Sequence, residues 1–518
     1  MTDVMDQIDA KASANNLAAA FDVQLKADPD AVALVIDEES WTRREIGHMS
    51  NCAVGRLIEL DVKQGDYVVA QYDTSVEDLA VAIAVARLGA TFLPAPKRLG
   101  MREVNYILQM SNAKLFVHTG DKSGDGLQPP AGAVAASMKT MVGAEPVVMD
   151  AVPTPADHCA IVGVTSGSTG NPKGVMHSWD SVAWAARRIK ALADIQTGEA
   201  IMVTGAGAGA PGFTFFSYMG LAHGLTIVRA SGWDPVRVLR MAQKHKCVWS
   251  VMVVTMLHML LNAREEALGD AKLEHMRAFT VGGGYMTESL IEDTRDQLGV
   301  EVLRMYAMAE SMAHCSNLLE DSIAIRNDYD GWPGPETEIA AFDADRHQVP
   351  TGELGEIGMR GPNLLMGYLG EPEAKQSLMT PDGFFLSGDL GRVTREGLVK
   401  ILGRKKDMIN RGGYKIDPTE IEELIRQHPS VCRVVVVGYP DKIYGERACA
   451  VTELHENQSF DMQELKDYLL GYGLSKEKLP ERLELRAELP LSPDGKILKG
   501  AIRTEIEQIV NAEIAAAA

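Results

Sequence analysis

"CAIVGVTSGSTGNPKGVMHSWDSVAWAARRIKALADI" occupies residues 159–195. It opens on an apolar, β-branched run of strand composition and closes on a stretch with helical spacing. Between them lie Gly, Ser and Thr residues with a single lysine, Lys173. Strand, glycine loop, helix is a setting in which backbone N–H groups, hydroxyls and one ammonium can wrap phosphate oxygens. The NTPase form of such a loop needs Gly, four residues, then Gly-Lys-Ser/Thr without a gap. Here Asn171-Pro172 separates Gly170 from Lys173, and Gly174-Val175 follows the lysine. That register fails, and with it the hydroxyl that would hold magnesium.

On both sides of this stretch, short β-branched runs alternate with longer helical patterns. "AVALVI", "YVVAQY", "AKLFVH", "AIMVTG", "LTIVRA" and "RAFTVGGG" are the clearest strands. The alternation predicts an α/β fold with largely parallel sheets. Near Asp330 the texture becomes dense in Gly and Pro with short alternating runs, as expected of a β-rich subdomain. A compact last segment begins near residues 404–407. In it Asp417, Pro418 and Glu420 suit a capping box at the head of a helix. At 518 residues the chain is too long for one core. The expected division is a large N-terminal domain, 1–404, of α/β layers with the β-rich subdomain, and a small α+β C-terminal domain, 405–518.

The formal net charge of −20 disfavours nucleic acid or an anionic membrane as the main partner. Six scattered cysteines without a CxxC pair argue against a disulfide framework or structural zinc and fit a reducing compartment. His314-Cys315 has no further ligands at usable spacing and reads as local packing. The acidic N-terminus lacks the apolar core of a signal peptide. The most membrane-like stretch, "LAVAIAVARLGATFLPAP", is interrupted by Arg87 and Gly89, and no membrane span is expected. A cytoplasmic protein is the expectation; its oligomeric state is left open.

Four further stretches join the glycine loop: "TVGGGYMT" (280–287), "RMYAMAES" (304–311), "LSGDLG" with "GRKKDMINRGGYKIDPTEIE" (386–391 and 403–422), and "LPLSPDGKILKG" (489–500). Alone, a Gly triplet is an ordinary strand end and a GKI lysine an ordinary solvated turn. In this order and spacing, from about residue 20 to 503, they resemble the adenylate-forming superfamily of acyl-CoA synthetases, NRPS adenylation domains and luciferases. "TSGSTGNPKGV" and "GRKKDMINRGGYKIDPTEIE" carry the resemblance most specifically.

The resemblance implies that a carboxylic acid attacks the α-phosphate of ATP, giving acyl-AMP and pyrophosphate, and that a thiol then displaces AMP. Its cofactors would be ATP, Mg2+ and coenzyme A. Thr165, Ser166, Gly167, Ser168, Thr169 and Gly170, with Lys173, would cover the β- and γ-phosphates. Gly282, Gly283 and Gly284 would let adenine lie against backbone, and Tyr306 would stack on it. Glu310 would hold the magnesium, a hard cation suited to carboxylate oxygen. Asp389, supported by Arg404, would accept from the ribose hydroxyls, and Lys496 would reach the α-phosphate as charge develops. The small domain would be mobile, pivoting at Lys406, with Gly412 and Gly413 lining a tunnel for the thiol arm.

Two departures from the family pattern bear on the substrate. Ala309 stands where a threonine is expected, removing one hydroxyl near the phosphate. In "TGAGAGAPGFTFF" (204–216), Gly209 falls where relatives carry a histidine, which opens the acyl pocket; a flexible turn would account for the same glycines. Phe213, Val254, Met256 and Met308 are the other candidates for that pocket, all apolar, with no Asp poised for an α-amino group. The chain is therefore similar to cyclohexanecarboxylate and aryl-acid CoA ligases. The expected activity is an ATP-dependent acyl-CoA synthetase on a hydrophobic, bulky alicyclic, aryl or polycyclic acid. Alternatives are a stand-alone adenylation enzyme loading a separate carrier protein, and a binding protein that senses acyl-adenylates without turnover.

Overall fold

The computed structural model describes residues 14–120, 127–155, 157–165, 172–205, 207–284, 286–490 and 497–517. It is a mixed α/β protein with a large N-terminal and a small C-terminal domain, as the strand–helix rhythm predicts. Two large sheets form the first. One runs, edge to edge, through Trp332–Pro333, Ser311–Ser316, Glu301–Met308, Ala278–Gly282, Cys247–Val253, Ala200–Val203, Thr226–Arg229, Val32–Ile36 and Glu39–Thr42. From Glu301–Met308 to Val32–Ile36 its pairings are parallel. The other is built on Tyr67–Tyr72, Thr91–Pro96 and Leu115–His118, with Ile161–Thr165 and Lys173–His177 toward one edge. Strand ends on one side of parallel sheets of this kind are where ligands collect.

The membrane-like stretch is a buried helix, Val76–Arg87, followed by the strand Thr91–Pro96. Every residue of that helix except Glu77 is buried, and Arg87 is neutralised by Asp22 at 2.7 Å. No helix among the described residues is long and apolar enough to cross a membrane.

One expectation is overturned at the glycine loop. Lys173–His177 is a strand antiparallel to Ile161–Thr165, in register Thr165↔Lys173, and the helix begins only at Trp179, capped by Ser178. The two strands are thus the arms of a β-hairpin, and residues 166–171 between them lie outside the described residues. The helix dipole that a strand–loop–helix would aim at phosphate is not at their end.

The β-rich subdomain is an antiparallel sheet of Glu338–Phe342, Gly355–Arg360, Phe385–Val393 and Val399–Arg404. Its last pair sets Asp389 opposite Arg404. Beyond it, a five-stranded sheet carries apolar clusters that take in the helix Pro418–Arg426 and the helix Lys499–Ala517. Asp417 caps the former by accepting from the Thr419 N–H, with Pro418 in the first turn. The reciprocal half of a capping box is missing, because Glu420 pairs instead with Lys478 at 2.6 Å.

Candidate active site

Three carboxylate and tyrosine contacts organise the end of the strand Glu301–Met308. Tyr306 is buried, and its hydroxyl donates to Asp389 Oδ2 at 2.7 Å. Arg404 Nε lies 3.1 Å from Asp389 Oδ1. Burial pushes the Asp389 carboxyl up, and the Arg404 charge works against that shift. Burial, with the Asp389 charge adding to it, also holds the Tyr306 hydroxyl well above the ordinary phenol range, so it stays a donor.

Four residues on, Glu310 Oε1 accepts from Tyr368 at 3.0 Å. The Tyr368 ring in turn lies under Lys173, with Nζ 5.2 Å from its centroid, and Lys173 Nζ is 3.6 Å from Glu371. Tyr368 is brought there by a two-residue strand, Gly367–Tyr368, paired with Met176 and Val175. Glu310 and the hairpin lysine are therefore joined through a tyrosine that sequence reasoning missed. Among the described residues nothing bonds the second Glu310 oxygen, which suits a hard cation such as Mg2+.

His177 is a second omission. It is fully buried, and its Nε2 donates to the Ala309 carbonyl at 2.7 Å while Nδ1 faces the Ser181 hydroxyl. Burial lowers it to about 4, so the ring is neutral. It pins the segment carrying Glu310. The only local signal was a polar residue closing the apolar run Val175-Met176. His314, by contrast, is tied to Ser311, Asn363 and the Glu338 carbonyl, and Cys315 faces the Asp330 carbonyl.

The strand Ala278–Gly282 ends on the glycine triplet. A Cβ on Gly282 would lie 2.6 Å from the Met305 carbonyl oxygen, so only glycine fits beside the neighbouring strand. Gly283 has φ +78, and a Cβ on Gly284 would meet Val254 at 3.3 Å. Val254 is buried at the start of the helix Val254–Leu268, with Met256 half-buried two residues along, and Met308 is half-buried next to the Glu310 segment.

Gly209 has φ +78 and open space where a side chain would stand. It begins a single turn, Gly209–Gly212, that runs into a wider π turn, Phe213–Tyr218. The strand Ile161–Thr165 is packed against this turn: a Cβ on Gly163 would lie 2.6 Å from Ala210 Cβ. Phe213 corrects an expectation. Its side chain is fully buried, with its ring 5.9 Å from Tyr72 and 5.5 Å from Phe92, so it builds core and lines no open pocket.

At the start of the small domain, Lys405 pairs with Glu356 at 2.7 Å, whereas Lys406 offers its carbonyl to Arg503 at 3.4 Å. Gly412 and Gly413 have φ +58 and +93 in the turn between Ile409–Arg411 and Tyr414–Ile416. Ser166, Gly167, Ser168, Thr169, Gly170 and Lys496 lie outside the described residues.

The profile of the AMP-binding enzyme family matches residues 21–369, and that of the AMP-binding enzyme C-terminal domain matches 420–496. The chain belongs to this family. It is an AMP-forming acid–thiol ligase, for which ATP, Mg2+ and coenzyme A are the cofactors and a small-molecule carboxylic acid the substrate. The enzyme is 28% identical to a medium-chain fatty-acid–CoA ligase of Escherichia coli, over 93% of this chain and 88% of that one. It is 29% identical to a feruloyl-CoA synthase of Amycolatopsis sp, over 92% and 96%. ATP-bound MatB from Rhodopseudomonas palustris superimposes with a TM-score of 0.86 at 25% identity, covering 96% of this chain and 99% of that one.

Proposed function

We propose that the enzyme is an acyl-CoA synthetase for a hydrophobic, bulky alicyclic, aryl or polycyclic acid. Acyl-AMP and pyrophosphate form first, and coenzyme A then displaces AMP. The observation that carries this reading is Val254, packed against the glycine triplet and followed on its helix by the apolar Met256, together with the apolar Met308 and a glycine at 209 with open space where a side chain would stand. Such a surface takes apolar bulk and offers no partner to an α-ammonium group.

In this reading Asp389 and Arg404 hold the ribose, Tyr306 and Gly282 to Gly284 frame the adenine, and Glu310 holds Mg2+. Thr165 to Gly170 with Lys173 cover the outer phosphates. Lys496 supplies the charge that the α-phosphate needs as it is attacked. Phosphoryl transfer depends on positioning and charge neutralisation, which these groups supply. Lys406 is the pivot between 1–404 and 405–518, and Gly412 and Gly413 let the thiol arm pass.

AMP release from ATP with a panel of ring, aryl and linear acids, each with and without coenzyme A, tests the proposal. A ring or aryl acid should lead the panel, with release dependent on coenzyme A. Release that ignores coenzyme A would point to a carrier-bound thiol as acceptor, and a linear acid in the lead would discard the substrate class.

A further inference from the structure

A cavity of about 180 Å³ lies at the ends of the strands Tyr67–Tyr72, Ala200–Val203 and Thr226–Arg229, lined by Asp73, Thr204, Gly205, Arg229, Trp233 and Met256 among others. That is smaller than the roughly 300–1,000 Å³ of a pocket that encloses a whole drug-sized ligand, so it suits one end of a molecule. Met256 and Gly205 on its wall belong to the two segments proposed above to flank the acyl group.

Its polar groups are few, and most are engaged. The Thr204 hydroxyl donates to the Val251 carbonyl at 2.6 Å. The Trp233 indole N–H donates to Met259 Sδ at 3.3 Å, leaving the ring as an apolar wall. Arg229 gives Nη2 to Asp73 Oδ2 at 2.5 Å, and among the described residues its Nε and Nη1 have no partner. Its side chain is 14% exposed, against 43% for Asp73. A guanidinium so enclosed, with donors to spare on a cavity wall, is built to meet an oxygen.

The charge of that oxygen is also constrained. Asp73 already neutralises Arg229. Asp78 accepts from the Asp73 backbone N–H at 2.8 Å, and the Asp37 backbone N–H donates to the Arg229 carbonyl at 3.1 Å. Asp73 thus pairs with the guanidinium, Asp37 lies within its electrostatic reach and Asp78 is bonded to the Asp73 backbone, while the other cation nearby, Arg237, is 3.7 Å from Asp37 and 3.9 Å from Asp234. A second carboxylate entering here would meet net negative charge.

We propose that this cavity takes the far end of the acyl group and that Arg229 donates to an uncharged oxygen on it, a ring ketone or hydroxyl. The substrate is then an oxygenated ring monocarboxylate, neither a plain hydrocarbon ring nor a dicarboxylate. This rests on the ring-acid reading above and narrows it.

The test is ATP–pyrophosphate exchange with cyclohexane-carboxylic, -acetic and -propanoic acids, each as the parent, the 4-oxo and the 4-carboxy form. At one length the 4-oxo acid should exceed its parent about tenfold in kcat/KM, with the 4-carboxy acid poorest. In Arg229→Met that ratio should fall to about one. In Asp73→Asn, which unpairs the guanidinium, the 4-carboxy acid should gain about tenfold on the 4-oxo acid. Exchange with the parent acids but no 4-oxo preference at any length, or a preference unchanged in both variants, overturns the proposal and leaves the ring-acid reading standing. No exchange with any of the nine acids overturns the ring-acid reading, and this proposal with it.

Discussion

The corner around Tyr306, Asp389 and Glu310 and the corner around Gly209, Met256 and Trp233 are built on opposite terms. In the first, polar groups hold one another, most of them enclosed and Arg404 exposed: Tyr306 and Arg404 on Asp389, Tyr368 on Glu310, His177 on the Ala309 carbonyl. Low dielectric strengthens each bond and makes each expensive to leave unmade, so the geometry is fixed before any ligand arrives. In the second, glycines and apolar side chains leave space, and one ion pair supplies most of the polarity. The difference teaches where change is tolerated. The first corner suits a constant ligand such as a nucleotide, and the second can be retuned for another acid by one or two side chains.

The sharpest way to break this contrast lies at Lys496. Lys496→Ala should remove acyl-adenylate formation by roughly 10²–10³ or more, the cost of one donor aimed at developing charge. Thioester formation from supplied acyl-AMP should survive. Equal loss in the two half-reactions, measured separately, would show that the lysine serves the fold and not the adenylation step.

Asp389→Asn probes the polar corner itself. It keeps the shape but removes the charge that Arg404 and the Tyr306 hydroxyl share. Hydrogen bonds to charged groups contribute about 1.5–3 kcal/mol, so kcat/KM for ATP should fall by roughly 10–100-fold for every acid tried. A loss that varied from acid to acid would mean that the two corners are one site and that the contrast drawn here is false.

The two corners were not equally legible in the sequence. Asp389 and Arg404 stand on neighbouring strands of one hairpin, and Tyr306 and Glu310 are four residues apart, so local motifs carried them. Tyr368 and His177 escaped because their partners, Glu310 and Ala309, are 58 and 132 residues away, and nothing local marks such a meeting. The sheets were legible from β-branched runs. The hairpin Ile161–Thr165/Lys173–His177 was not, since "KGVMH" is too short and glycine-bearing to declare itself a strand. Phe213 shows a different limit: apolarity alone cannot tell a core ring from a pocket wall, and here Tyr72 and Phe92 decide.

Where the polar corner meets the small domain, a stability measurement sharpens the comparison. Asp417 Oδ1 lies 2.7 Å from where a Cβ on Gly403 would stand, one residue before Arg404. Burial raises its carboxyl to about 6 from 3.8. Its contribution is therefore complete below pH 4 and is lost as pH rises through 6. Asparagine caps a helix as well as aspartate does. Asp417→Asn should accordingly stabilise the protein by about 1–3 kcal/mol at pH 8 and by little at pH 3.5, read from urea unfolding. The same gain at both pH values would mean that burial does not strain this carboxyl.

Gly209 tests the open corner, with the smallest expected effect. A Cβ there meets nothing within 4 Å, so Gly209→His can place an imidazole in the space. Its φ of +78 adds a backbone cost for any side chain, about 1 kcal/mol or more, least for asparagine. Gly209→Asn is therefore the partner variant, carrying much of the strain with less bulk. Crowding beside a bulky ring should cost about 1–3 kcal/mol, borne by ring acids and not by slim ones. Relative kcat/KM should shift toward linear acids by roughly tenfold in Gly209→His, beyond any shift in Gly209→Asn, with the KM for ATP unchanged. A uniform loss across the acids, equal in the two variants, would make residues 205–209 a turn remote from substrate. The polar corner would then be the only part of the site this chain has fixed.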